Sequence, residues 1–331
     1  MRVGVIGVGR IGQYHAKVLG EHPEVDSVVV ADTSPGRAEA VARSLKLESA
    51  PSTDRLLEGV DAVVIAAPTN THAELIRQAV DARLTTFCEK PIALDLESTR
   101  TIVRHVQDTG IVVQIGFQRR FDAGYRAARQ AVTDGQLGTV YIARIAGHDP
   151  APPHEAYIPA SGGIFRDLHI HDFDIARFVL GQEVVEVYAD GAVLAYDVFR
   201  KYDDVDTAVA ILTFSGGTLG ILSGTRHDPL GYDVRMELFG AGDSIAIGLD
   251  ARTPLRSVEP GMPPAPRAPY EFFLDRFDAA YRAELDTFVN VVARRIPNPC
   301  PPEDAEAALR IAIACDRSRA LHRPVRLDEV A

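Results

Sequence analysis

The sequence predicts an α/β chain in two parts, the first built on a parallel sheet and the second on an open, mostly antiparallel one. Three observations carry that expectation. Over residues 1–118, short apolar runs alternate with stretches of helical periodicity. A glycine triplet, Gly7, Gly9 and Gly12, closes the first apolar run. Beyond Gly138 the pattern changes to closely spaced strand-like runs separated by glycine-rich turns.

In the first part, strands are expected at 2–6, 25–31, 62–67, 84–88 and 111–115, and helices at 11–20, 37–45, 72–82 and 96–109. Strands that alternate with helices need crossovers, hence parallel pairing. Runs that are apolar throughout fit a sheet covered on both faces. A helix is expected at 121–133. Strands follow at 140–146, 184–193, 207–214, 218–225, 234–239 and 244–247, interrupted by one helix at 164–180. Turns such as Ser215-Gly216-Gly217 and Gly240-Ala241-Gly242-Asp243 favour antiparallel neighbours. Residues 259–269 hold five prolines and read as an irregular loop, and helices at 273–295 and 303–321 close the chain.

A chain of 331 residues exceeds one ordinary core and fits two domains. With 46% hydrophobic and 24% charged residues it can bury such cores, so disorder is not expected to dominate. The net charge of −11, without a long basic run, argues against nucleic acid and anionic membranes as partners. Cys88, Cys300 and Cys315 form no Cys-x-x-Cys motif, which argues against a disulfide framework or a structural zinc site. No apolar run approaches the ~20 residues of a membrane helix. Met1 leads straight into a strand, with no signal-peptide pattern before it. A cytoplasmic setting is expected.

Gly7-Val8-Gly9-Arg10-Ile11-Gly12 reads Gly-x-Gly-x-x-Gly, placed after a strand and opening a helix. That context marks a Rossmann dinucleotide-binding domain. Gly7 permits the tight turn, Gly9 lets a pyrophosphate approach the backbone, and Gly12 allows close helix packing. The helix N-terminus, with Arg10 and Ile11 in its first turn, favours phosphate charge. Asp32 ends the second strand, where a carboxylate binds ribose hydroxyls and repels a 2′-phosphate. NAD is therefore expected over NADP, although Arg37 leaves a route to a phosphate. The competing reading is a glycine turn in an unrelated α/β protein with a surface aspartate. Tyr14 and His15, just after the motif, are expected to pack near the cofactor or the core.

A second cluster follows the strand that ends at Cys88. Glu89-Lys90-Pro91 occupies a βα loop at the carboxyl end of a parallel strand, where such sheets bind ligands. The proline is a candidate for a cis bond. Further on, Asp167, His171 and Asp174 fall at i, i+4 and i+7 and share one face if 164–180 is a single helix. An imidazole oriented by a carboxylate suits general base chemistry near neutral pH. A hydrogen-bonded structural histidine and a metal site are the alternatives. His169 and His171 diverge on a helix, which places metal behind.

In chain order, Gly7-x-Gly9-x-x-Gly12, Ala66-Ala67-Pro68-x-x-x-His72, Glu89-Lys90-Pro91 and Asp167-x-x-x-His171 resemble the glucose–fructose oxidoreductase/inositol dehydrogenase (Gfo/Idh/MocA) family over nearly the whole chain. The resemblance implies a Rossmann domain at 1–118 and a substrate-binding and oligomerisation domain at 119–302, with helix 303–321 packing back on the first. It implies that Pro68, Asn70, His72, Glu89 and Lys90 line the cofactor, and that Lys90, Asp167 and His171 act on the substrate. Among members, inositol 2-dehydrogenases look most similar. Their pattern places Arg119, His148, Asp174, Tyr232 and Tyr281 at the substrate. The chain departs from that pattern at Gly147-His148-Asp149-Pro150, at Gln118 and at Phe121.

The expected chemistry is NAD-dependent oxidation of a ring hydroxyl of a cyclic polyol or sugar, with myo-inositol to the 2-keto inositol foremost. His171 takes the hydroxyl proton, Lys90 positions and polarises the oxygen, and Asp167 orients the pair. Other enzymatic readings are an aldose or sugar-derivative dehydrogenase and an oxidoreductive glycosidase that uses NAD transiently. A non-catalytic sugar or nucleotide sensor is a further reading. A homo-oligomer, dimer or tetramer, is expected.

Overall fold

The computed structural model describes residues 1–262 and 264–330. The chain divides into two units. The first comprises Met1–Phe117 and Tyr281–Glu306, and the second Gln118–Ala280 and Ala307–Ala331, of which Ala331 lies outside the described residues.

The first unit alternates strand and helix in this order: β1 (Arg2–Ile6), α1 (Arg10–Gly20), β2 (Ser27–Ala31), α2 (Arg37–Leu45), β3 (Glu48–Ser49), α3 (Thr53–Leu57), β4 (Ala62–Ile65), α4 (Thr69–Asp81), β5 (Thr85–Glu89), α5 (Leu96–Thr109) and β6 (Val113–Gly116). All pairings are parallel, in the order β3-β2-β1-β4-β5-β6. This is the doubly wound order, and it puts the ends of β1 and β4 side by side where the strand order reverses. The apolar strands are buried throughout because helices cover both faces: Val3, Val5, Val28, Val30, Val63 and Val64 are all essentially inaccessible. The strand at β3 and the short α3 carry no run long enough to stand out in the sequence. Ser52 caps α3 through the Arg55 amide.

The second unit carries α6 (Ala123–Thr133), β7 (Val140–His148), α7 (Ile158–Ser161), α8 (Ile164–Asp167), α9 (Ile170–Leu180), β8 (Val184–Ala192), β9 (Thr207–Phe214), β10 (Leu219–Thr225), β11 (Asp233–Gly240) and β12 (Ser244–Ile247). After these come α10 (Phe273–Val292), α11 (Pro302–Leu321) and β13 (Val325–Arg326). Seven strands form one sheet, β12-β11-β7-β10-β9-β8-β13. The pairs are antiparallel except β7 with β10, which run parallel as the two central neighbours. The proline-rich stretch 259–269 has no helix or strand among its described residues, and Pro263 lies outside them.

Two expectations about the closing helices need correcting. The helix expected to pack on the first unit, 303–321, divides between the units: Pro302–Glu306 groups with the first, where Glu306 accepts from Arg100 Nε at 2.8 Å. From Ala307 onward α11 belongs to the second unit, where Ser318 Oγ accepts from the Ala189 amide at 2.9 Å. The C-terminal part of α10, expected in the second domain, packs on the dinucleotide sheet. It places Leu285, Phe288 and Val289 in one core with Val3, Val28 and Phe87. Their i, i+3, i+4 spacing makes a single apolar stripe, and α10 leaves helical geometry at Phe277, shortly before the division between units.

Candidate active site

In the first unit the glycine turn is built by what its residues lack. Gly7 has φ of +83°, and a Cβ there would fall 2.6 Å from the Ala67 Cα. A Cβ on Gly12 would lie 1.9 Å from the Gly7 carbonyl oxygen, so only glycine lets α1 approach the strand end. At Gly9 a Cβ would meet nothing within 4 Å. Gly9 is the N-cap of α1 and makes no side-chain cap, which leaves the helix start open to an anion, with Arg10 exposed beside it. This open backbone cradle fits a pyrophosphate. At the end of β2, Asp32 accepts the amides of Val8 at 2.9 Å and Ser34 at 2.7 Å. Burial works against its charge, but these amides hold its carboxyl below the usual range, so it stays anionic as a ribose partner must. Arg37 lies 3.5 Å from the same carboxylate.

The loops after β4 and β5 complete this edge. Pro68 and Asn70 are exposed at the start of α4. His72 is expected at the cofactor, and the structure places it beneath these loops. Its ring is buried, with Nδ1 2.8 Å from the Pro91 carbonyl and Nε2 2.7 Å from the Ala67 carbonyl, so it ties two loops together. The Lys90–Pro91 bond is cis. Glu89, expected at the cofactor, sits 2.6 Å from Nε2 of the buried His15. Gly116 makes room for that carboxylate, because a Cβ there would fall 3.0 Å from Glu89 Oε2. Tyr281, expected at the substrate, belongs to this unit and is buried against Tyr14 and His15.

In the second unit, sheet topology gathers the site. Since β7 and β10 are parallel, both end at one edge, with His148 beside Thr225. The antiparallel β11 starts at the same edge, with Asp233 opposite His148. The residues just past those ends, Asp149, Arg226 and Tyr232, therefore converge although far apart in sequence. His148 Nδ1 is 3.0 Å from Thr225 Oγ1, and burial pushes its pKa down. Tyr232 is buried, edge-on to Phe277, and burial raises its pKa.

The helix expected at 164–180 is two helices, with Leu168 and His169 between α8 and α9. Asp167 ends the first and His171 lies in the first turn of the second, so they are not i, i+4 neighbours of one regular helix. Both are partly exposed. Asp167 Oδ2 accepts from Arg226 Nη2 at 2.8 Å and Oδ1 from the Tyr157 hydroxyl at 2.9 Å. Arg226 and Tyr157 are residues that sequence reasoning missed. A lone arginine after a strand carries no local signal.

Asp174 is expected at the substrate, and in the structure its carboxylate is engaged by a neighbouring guanidinium. It is fully buried and grips Arg120 in a two-point pair, at 2.8 and 2.6 Å. Arg119, also expected at the substrate, is 1% exposed and paired with Asp172. The reason is charge balance: two consecutive buried guanidiniums need two carboxylates, and Asp172 and Asp174 supply them. Asp172 also accepts from His169 Nδ1 at 2.8 Å. Burial opposes the ionised carboxyl of Asp172, yet Arg119 and His169 outweigh it and hold its pKa low. Among the described residues no cluster of three or more histidine, cysteine or acidic side chains could hold a metal ion.

A parallel sheet with an open glycine turn and an anionic strand-end residue, followed by a sheet whose strand ends gather polar side chains, defines a nicotinamide-dependent oxidoreductase. The comparisons agree. The model of the oxidoreductase family with an NAD-binding Rossmann fold matches residues 1–117, and that of the GFO/IDH/MocA C-terminal domain matches 125–246. The chain is 39% identical to the myo-inositol 2-dehydrogenase of Thermotoga maritima, covering 100% of this chain and 99% of the relative. A myo-inositol dehydrogenase structure from Corynebacterium glutamicum superposes with a TM-score of 0.90 at 36% identity, covering 99% and 98%. The scyllo-inositol dehydrogenase of Lactobacillus casei, with bound NAD(H) and scyllo-inositol, gives 0.87 at 27% identity, covering 99% of each chain. The chain belongs to the GFO/IDH/MocA oxidoreductase family.

Proposed function

We propose that this chain is an NAD-dependent dehydrogenase that oxidises one secondary ring hydroxyl of an inositol to the ketone. The observation that carries the reading is Asp167, held on both oxygens and separated from the part-exposed imidazole of His171 by a single turn of chain. The full-length likeness to inositol dehydrogenases supports the substrate class.

In this reading Gly7, Gly9 and Gly12 hold the pyrophosphate, with Arg10 and Ile11 beside it, and Asp32 takes the ribose hydroxyls. Pro68 and Asn70 flank the cofactor. When bound, NAD accepts hydride from the reacting carbon. His171 takes the hydroxyl proton, a general-base task suited to an imidazole. Asp167 orients that ring and stabilises its charge as the proton arrives. The Lys90 ammonium donates to the reacting oxygen and stabilises the negative charge that develops there. His148 and Tyr232 hold other ring hydroxyls.

The outer face of the seven-stranded sheet leaves Tyr141, Tyr188, Val209, Ile211, Leu219 and Ile221 exposed. An apolar field of that extent marks an interaction surface, and a homo-oligomer, dimer or tetramer, covers it. Light scattering is expected to give a multiple of the chain mass, and a monomer would contradict this. The three buried free cysteines suit a cytoplasmic setting.

The functional test follows nicotinamide absorbance with NAD or NADP against myo-inositol, scyllo-inositol, glucose and other aldoses. NAD reduction by an inositol is expected. Measurable NAD binding with no reduction by any polyol would contradict the assignment.

A further inference from the structure

The guanidinium of Arg226 is shared. It donates from Nη2 to Asp167 at 2.8 Å and from Nη1 to Asp149 Oδ2 at 3.3 Å, while its side chain is only 3% exposed. The backbone fixes both partners of this arrangement. The Asp149 amide donates to the Thr225 carbonyl at 2.9 Å, and the Arg226 amide donates to the Asp206 carbonyl at 2.7 Å. The ladder of β10 with β7 thus extends one step to place Asp149, and the ladder of β10 with β9 extends one step to place Arg226. Asp167 reaches the same point from α8, with the Tyr157 hydroxyl on its other oxygen. Asp204 also faces Arg226, and His169 faces Asp149.

Counting charge explains why two carboxylates sit on one cation. Asp167 with Arg226 alone is neutral and would give an adjacent imidazolium little stabilisation. Asp149 adds a negative charge to this pair, with burial pushing its pKa up and Arg226 opposing that, and Asp204 faces the same guanidinium. Arg226 then holds the Asp167 carboxylate in place without cancelling its field.

We propose that Arg226 is a positioning residue that fixes the Asp167 carboxylate, and that Asp149 offsets the Arg226 charge so that Asp167 still supports a proton on His171. This rests on the reading of Asp167 and His171 as the proton-transfer pair.

The two neighbours then act on His171 with opposite sign. Asp149→Asn removes a negative charge, so His171 becomes a weaker base and the acid limb of kcat/KM moves to lower pH. Arg226→Gln removes a positive charge, so the limb moves to higher pH, and kcat falls because Asp167 is no longer held. Each shift is expected to be about half a pH unit. The fall in kcat is expected to be about 10-fold or more, with KM for inositol changed much less. Arg226→Lys keeps the charge without the fork and should restore the limb but not the whole of kcat.

The experiment is the pH profile of inositol oxidation for these three variants and the unaltered enzyme, beside His171→Ala and Asp167→Asn. Opposite shifts support the proposal. Unchanged profiles, or shifts of the same sign, overturn it. If Arg226→Gln does not fold, as judged by circular dichroism and NAD binding, then Asp149→Asn and Arg226→Lys decide. Should His171→Ala and Asp167→Asn keep full turnover, the underlying assignment fails; should they lose it while the Arg226 and Asp149 variants are unaffected, this inference alone fails.

Discussion

In the dinucleotide unit the ligand-facing surface is backbone: Gly9 leaves its approach open, and the cap of α1 offers amides rather than side chains. In the second unit charged side chains gather instead, and most of their charge is already spent on one another. Arg119 pairs with Asp172, Arg120 with Asp174, and Arg226 with Asp149 and Asp167. A backbone site is specified by a few adjacent residues. A side-chain cluster at strand ends is specified by topology, which brings His148, Asp149, Arg226 and Tyr232 together from distant parts of the sequence. The first kind accepts a common group, a pyrophosphate. The second can be re-specified by changing single residues.

Variants can break this contrast from either side. The largest effect is expected at Asp172→Asn, which leaves Arg119 charged and buried with no full counter-charge. Chemical denaturation should show a loss of about 3–5 kcal/mol. The sign with pH follows. Asp172 has a folded-state pKa held below its unfolded value, so its contribution is present above the unfolded value, near 4 for an aspartate, and is lost as pH falls through the folded one. Stability should therefore drop in acid for the unaltered chain, and less so for the variant.

Next comes Gly12→Val, which forces a Cβ onto the Gly7 carbonyl. NAD affinity measured by calorimetry should fall by roughly 100-fold or more, in keeping with overpacking costs of about 1–3 kcal/mol or above. If affinity stays within about threefold, the cradle does not hold the pyrophosphate.

The smallest effect is at Asp32→Ser. Removing this anion while keeping Arg37, which sits 3.5 Å from it, should improve the NADP-to-NAD ratio of kcat/KM by about 10-fold. An unchanged ratio would place cofactor choice elsewhere.

The same contrast explains what was legible from sequence. The parallel sheet, the glycine turn, the place of Asp32 at the end of β2 and the cis proline are readable, because each depends on neighbours in the chain. Six of the later strands were also readable from their spacing. The break between α8 and α9 was not, since residues 164–180 keep an apolar pattern through Leu168. Asp174 is placed at the substrate only by the resemblance to inositol 2-dehydrogenases, and the sequence carries no sign of its ion pair. Its partner Arg120 lies 54 residues away, and no local pattern links them. Arg226 was invisible for the same reason. Residues 281–302 are expected in the second domain but group with the first unit, and the amphipathic run at 273–295 gives no sign of the departure from helical geometry at Phe277 that precedes the division.

The central claim is that the second unit presents an inositol carbon for oxidation by NAD, with His171 taking the proton. It is tested most directly by incubating the enzyme with NAD and an inositol deuterated at its ring carbons, then weighing the nicotinamide product by mass spectrometry. Deuterium in the reduced nicotinamide, lost together with turnover in His171→Ala, is the predicted result. Turnover that leaves the nicotinamide unlabelled, or labelling that persists undiminished in His171→Ala, would contradict it.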